Sequence, residues 1–202
     1  MTNTLCPAPW EHHCVNTNGR NRLCCNAVTS ASKFLDGFEE YWSGEELQKV
    51  RQQMIAGERP DACISCWKKE DAGIKSLRQG MIEGLKNREG EWEKFTNDLN
   101  YVHKYPLSLD LKLGNYCNLS CRMCSSYSSS TYASEFQKIL KETGIDLGIN
   151  DYEKHNVQSK WYNEPKFVDT IKKMINDGLR HLKFTGGEPL MVPSVKKLLN
   201  YC

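Results

Sequence analysis

The 202-residue sequence predicts an α/β fold: alternating strands and helices over residues 106–202, preceded by a small cysteine-rich α+β module over residues 1–75. Three observations predict it. Leu107, Leu109, Leu111 and Leu113 alternate with Ser108, Asp110 and Lys112, the period of two expected of a half-buried strand. A second apolar strand over 180–185 follows a helical stripe that Pro165 opens, at a position where its missing N–H costs nothing. Ten cysteines, six of them before residue 70, mark the N-terminal part as a region that metal or redox chemistry must explain.

Composition narrows the function classes. Lys+Arg 27 against Asp+Glu 25 leaves a net charge of +2, which gives no electrostatic footprint for nucleic acid or an acidic partner. The N-terminus lacks a signal-peptide pattern, and no segment approaches the roughly 18 apolar residues that span a bilayer. A cytoplasmic protein with no membrane partner is expected. In a reducing cytosol disulfides are disfavoured, so the cysteines read as ligands.

Within the first module, Cys6-Pro-Ala-Pro-Trp10 precedes Gly19, the pair Cys24-Cys25, and then Cys63-Ile-Ser-Cys66-Trp67. The spacing is C-x12-G-x4-C followed by C-x2-C. Such a set suits zinc as well as iron, because C-x2-C alone does not choose between them. Cys24 fits the spacing better than Cys25, although adjacent cysteines are not separable by sequence. Cys14, beside His12 and His13, reads as a packed residue, and Cys202 receives no role. Ser43 and Glu46 form a capping box for a helix with Leu47, Val50, Met54 and Ile55 on one face, ending at Gly57. That face is expected to bury a small core with Trp10, Trp42 and Trp67. Residues 76–105 read as a helical connector, with Leu77, Met81, Ile82 and Leu85 on a largely solvated helix; Tyr101, His103 and Tyr105 lie near its end.

The first strand of the second part leads into a cysteine loop. Ala133, Phe136, Ile139 and Leu140 then recur at helical spacing until Gly144. A polar stretch to about Asn163 reads as an insertion. Phe167, Val168, Ile171, Met174 and Ile175 form the stripe of the next helix, which ends before Gly178. Strand 180–185 follows, and a last helix from Pro193 carries Val195, Leu198 and Leu199.

The chemistry lies in two motifs. Cys117-Asn-Leu-Ser-Cys121-Arg-Met-Cys124 places three cysteines as C-x3-C-x2-C at the C-terminal end of a strand, where alternating strand–helix folds build their sites. Four thiolates close a four-iron cluster, whereas three leave one iron open to a ligand. Leu182-Lys-Phe-Thr-Gly186-Gly187-Glu188-Pro189 ends the second strand in a loop whose glycines allow close backbone approach. On these residues the chain resembles the radical S-adenosylmethionine (SAM) enzymes.

The resemblance implies an incomplete (βα) partial barrel, apparently truncated: a fragment, or one completed by a partner polypeptide. It implies a [4Fe-4S] cluster on Cys117, Cys121 and Cys124, and SAM bound through Gly186, Gly187, Glu188 and Pro189, with Met123 beside the adenine where the family usually carries an aromatic residue. Reductive cleavage of SAM to a 5′-deoxyadenosyl radical and hydrogen abstraction from a substrate would follow, with the cysteines as ligands rather than nucleophiles. A one-electron donor such as a flavodoxin or ferredoxin is the implied partner. The N-terminal spacing resembles the twitch domain, a relative of the SPASM domain, and implies a second, auxiliary iron–sulfur cluster on Cys6, Cys24, Cys63 and Cys66, with zinc as the alternative. Such modules usually follow the radical SAM domain, whereas here the module comes first. Relatives of this kind point to a peptide or protein substrate, with a small molecule as the alternative. The rival expectation is a non-catalytic iron–sulfur or zinc protein, or a remnant that binds SAM unproductively.

Overall fold

A computed structural model describes residues 3–28, 32–145 and 160–202 of the chain. Its centre is a four-stranded mixed sheet in the order β2-β1-β3-β4. β1 (His12–Val15), β3 (Ser108–Lys112) and β4 (His181–Thr185) run parallel, and the two-residue β2 (Asn21–Arg22) pairs antiparallel with β1. Cys14 faces Asp110, and Asp110 faces Lys183, across the three parallel strands. Both expected strands of the second part form within a residue or two of the expected limits.

Nine helices accompany the sheet among the described residues: α1 (Ala8–Glu11), α2 (Phe34–Ser43), α3 (Glu45–Ile55), α4 (Ile64–Asp71), α5 (Leu77–Lys86), α6 (Glu91–Asn97), α7 (Ser130–Thr143), α8 (Pro165–Asn176) and α9 (Pro193–Leu199). The fold is therefore mixed α/β with a small sheet. The helical stripe read from sequence for α8 is buried at Phe167, Ile171 and Met174, and Pro165 stands in its first turn. Trp10, Trp42 and Trp67 are buried as expected. They belong to one continuous apolar cluster that also holds Leu109, Leu111, Ile171 and Leu198. Sheet and core thus both cross the boundary that the sequence places near residue 105. No helix among the described residues is long and apolar enough to cross a membrane.

Four local expectations change. Ser43 does not cap α3: it lies in the last turn of α2, where its hydroxyl donates to the Glu39 carbonyl at 2.8 Å, and Gly44 becomes the N-cap. On α3 itself, Ile55 is exposed and Arg51 takes the buried position, donating from Nε to the Pro9 carbonyl (2.9 Å) and from a terminal nitrogen to the Trp42 carbonyl (3.0 Å). The supposed connector helix is also more than a solvated link. α5 opens with a true capping box between Ser76 and Gln79, and it buries Arg78 and Leu85. α7 buries only Ala133 of its expected stripe, leaving Ile139 exposed. Of the expected insertion, residues 146–159 lie outside the described residues. Its end forms a short turn, Trp161–Asn163, whose indole donates to the Thr17 carbonyl at 3.0 Å.

Candidate functional site

The loop carrying Cys117, Cys121 and Cys124 leaves the C-terminal end of β3 and is fastened to the start of α7. Asn115 donates to the Ser126 carbonyl (3.0 Å), and the Ser130 amide donates to the Asn115 carbonyl (2.7 Å). Ser130 and Thr131 hydroxyls donate to the Cys117 carbonyl at 3.1 and 2.7 Å. Ser129 caps α7 by accepting from the Tyr132 amide, while its own hydroxyl donates to the Leu119 carbonyl. The serine-rich run after Cys124 is therefore the brace of the cysteine loop.

Within that brace the thiols remain accessible: Cys117 and Cys124 are half-buried and Cys121 is exposed. The Leu119 amide lies 3.4 Å from the Cys117 sulfur, the sort of N–H···S contact that stabilises a ligating thiolate and tunes the potential of a cluster. Met123 is 97% exposed, so no protein wall backs it.

The glycine loop at the end of β4 meets this cysteine loop backbone to backbone. The Gly187 amide donates to the Gly114 carbonyl (3.1 Å) and the Glu188 amide to the Tyr116 carbonyl (2.8 Å). Gly186 has φ +114°, and a Cβ there would stand 2.7 Å from the Gly114 oxygen; a Cβ on Gly187 would stand 2.2 Å from the Tyr116 oxygen. Only residues without a side chain permit this approach. Glu188 uses one carboxylate oxygen to accept from the Leu190 amide at 3.1 Å, capping the short turn Pro189–Met191 that Pro189 opens.

Below the loops, Asp110 of β3 is buried although its position alternates with the apolar side chains. It accepts from the Thr185 hydroxyl at 3.0 Å, and the Lys183 ammonium stands 3.6 Å away. These contacts tie β3 to β4 just beneath both loops. Burial pushes the neighbouring His12 imidazole down to about 4, against the pull of Asp110.

The second group of cysteines is buried. Cys6, Cys24, Cys63 and Cys66, which come from three separate stretches of chain, line one cavity together with Leu23, Leu77, Arg78 and Met81. Cys25 does not line it. Burial raises the Cys6 thiol far above its ordinary range, with the other three thiols adding to the effect. Cys24 is pushed up to about 11 and Cys63 to about 12, chiefly by burial, while the Arg78 charge acts in the opposite direction on Cys63. Four buried thiols lining one cavity need a cationic occupant before they can ionise, and as a donor set they fit a thiolate-bound metal group. Cys14 is buried in β1 as a packed residue.

Among the described residues no three Cys, His, Asp or Glu side chains are grouped so as to hold one metal ion. A tetrahedral zinc ion holds its sulfurs at about 2.3 Å, hence about 4 Å or less from each other. An iron–sulfur cluster gives each thiolate its own iron and accepts a wider spread. Sequence reasoning missed Arg78 and Asp110. Arg78 was hidden because Leu77, Met81, Ile82 and Leu85 already explained the helix, whereas Asp110 was assigned to the polar side of its strand. Comparisons with known protein families, curated proteins and solved structures find no match for this chain.

Proposed function

We propose that the chain is a radical SAM enzyme, or the part of one that binds its clusters, with a peptide or protein as substrate. The observation that carries the reading is the contact between two motifs far apart in sequence. The cysteine loop and the glycine loop leave adjacent parallel strands at the same end, and they touch through Gly187–Gly114 and Glu188–Tyr116 hydrogen bonds. Cys117, Cys121 and Cys124 would hold a [4Fe-4S] cluster with one iron open, and the half-buried or exposed setting of the three thiols supports this. The cluster with SAM would supply a 5′-deoxyadenosyl radical for hydrogen abstraction.

The chain's own part is to position. Gly186 and Gly187 keep the loop low enough for a ligand to lie along its backbone, and Glu188 presents a carboxylate to an ammonium group. The Asp110–Thr185 bond fixes the strand ends that carry both loops. Cys6, Cys24, Cys63 and Cys66 would hold an auxiliary cluster in the core.

Anaerobic reconstitution with iron, sulfide and zinc counted per chain, and electron paramagnetic resonance of the reduced protein with and without SAM, tests the reading. Two four-iron clusters give about eight irons. The signal that responds to SAM should disappear in Cys121→Ala, together with release of 5′-deoxyadenosine. Four irons, one zinc and a SAM response would reassign the N-terminal cysteines to zinc. Absence of iron after reconstitution would overturn the enzyme reading and favour a non-catalytic metal-binding protein.

A further inference from the structure

Arg78 is 4% exposed and lines the four-cysteine cavity, and its charge lowers the Cys63 thiol against the rise that burial causes. Its Nε donates to Glu70 at 2.9 Å, a terminal nitrogen makes a second bond to the same carboxylate, and the other terminal nitrogen donates to the Leu5 carbonyl at 2.8 Å. The group also stands 4.9 Å from the centre of the Trp67 ring. Leu5 precedes Cys6 and Trp67 follows Cys66, so one side chain braces two of the cysteine-bearing stretches. Glu70 accepts from Ser76 as well, but it is not part of the cavity wall. The ion pair therefore presents its positive end to the thiols. A buried ion pair is seldom better for stability than apolar residues of the same volume, which leaves its charge in need of another explanation.

We infer that Arg78 sets the reduction potential of the N-terminal centre: its cation at the cavity wall stabilises the added negative charge of the reduced cluster, and Glu70 behind it moderates that effect. The inference rests on the proposed cluster at Cys6, Cys24, Cys63 and Cys66. A unit charge acts strongly across a buried, low-dielectric site, and net charge is among the factors that set cluster potentials. Burial opposes the charge on Glu70, yet hydrogen bonds from Arg78 and Ser76 outweigh it and hold the carboxyl below its usual range, so the pair is ionised.

The test uses the full chain with Cys117, Cys121 and Cys124 each changed to Ser, which leaves the N-terminal centre alone, and a redox titration followed by electron paramagnetic resonance. Arg78→Gln is expected to lower the reduced-to-oxidised ratio about tenfold at a given potential, about 59 mV for a one-electron couple. Glu70→Gln should move it in the opposite direction, and Arg78→Lys should stay close to the parent. A merely structural role would loosen the site in either variant and would not produce shifts of opposite sign. If Arg78→Gln holds no iron, Glu70→Gln decides: a potential at or below that of the parent overturns the inference. A parent that binds no cluster at this centre overturns the cluster reading itself, and the inference with it.

Discussion

Gly187→Ala is the sharpest perturbation of the contact between the two loops. The new Cβ would lie 2.2 Å from the Tyr116 oxygen and 2.6 Å from its carbonyl carbon, both backbone atoms that no rotamer change can move. Real Cβ atoms keep to 3.0 Å or more, so the loops must part by close to 1 Å. That separation breaks the Glu188–Tyr116 bond at 2.8 Å and the Gly187–Gly114 bond at 3.1 Å. At about 1 kcal/mol for each net hydrogen bond, the cost is about 2 kcal/mol. For a chain of this size that corresponds to a fall in Tm of about 4–8 °C. Thermal unfolding of the metal-free protein by circular dichroism measures it. The cysteine loop keeps its bonds to Ser129, Ser130 and Thr131, so iron loading should survive while the response of the spectrum to SAM is lost. A Tm equal to the parent's, with the SAM response intact, would refute the claim that the loops meet through these glycines.

Three further outcomes follow from other parts of the fold. Gly84→Ala is the counterpart of that variant: a Cβ meets nothing within 4 Å in the interior of α5, so unfolding should become harder by about 1 kcal/mol, as read by urea denaturation. Ser76→Ala removes the hydroxyl half of the α5 capping box and the bond to Glu70 while keeping the amide that donates to Gln79, and should destabilise by about 1–2 kcal/mol in the same assay. His13 is enclosed by Phe34, Phe38, Tyr41 and Trp42 with Asn21 at 3.0 Å from Nε2, and burial pushes it down to about 3. Below its ordinary value of 6.5 the unfolded chain binds the proton and the folded chain does not, so the stability His13 contributes is present above pH 6.5 and falls toward pH 3 by about 1.4 kcal/mol per pH unit. Urea midpoints between pH 7 and pH 4 should show a shallower slope in His13→Phe, and an unchanged slope would reject the assignment.

The strands and helices of the second part were legible because their apolar periods are clean: Leu109 and Leu111 are fully buried, as are Phe167, Ile171 and Met174. The cysteine and glycine motifs were legible as spacings. Their mutual contact was not, because it depends on backbone atoms of Gly114 and Tyr116, which carry no sequence signal for pairing. Likewise nothing in the neighbours of His12, His13 and Cys14 announces a strand that pairs in parallel with one almost a hundred residues later. The capping box at Ser43 failed on a local competition. Its hydroxyl had a carbonyl of its own helix within reach, and Gly44 offered a cleaner break. Arg78 could have been suspected from its place one residue after Leu77, but only the fold puts it beside four cysteines.

The contrast between the two cysteine groups carries a functional consequence. An open site for a ligand and a radical needs thiols near the surface, held by hydrogen bonds rather than by packing, and the loop braced by Asn115 and residues 129–131 meets that need. Its cysteines contribute little to the core, so replacing them should leave the fold intact. The N-terminal four occupy the opposite situation. All four are buried, and Cys6, Cys24 and Cys63 lie in the apolar cluster with Trp67 and Leu23, where unfilled space and unpaired charge are both costly. Were the proposed cluster bound there, its binding energy would become part of the folding energy. β1 of that module pairs directly with β3, which carries the open loop, so on the proposed reading both cysteine groups would be anchored to one shared sheet.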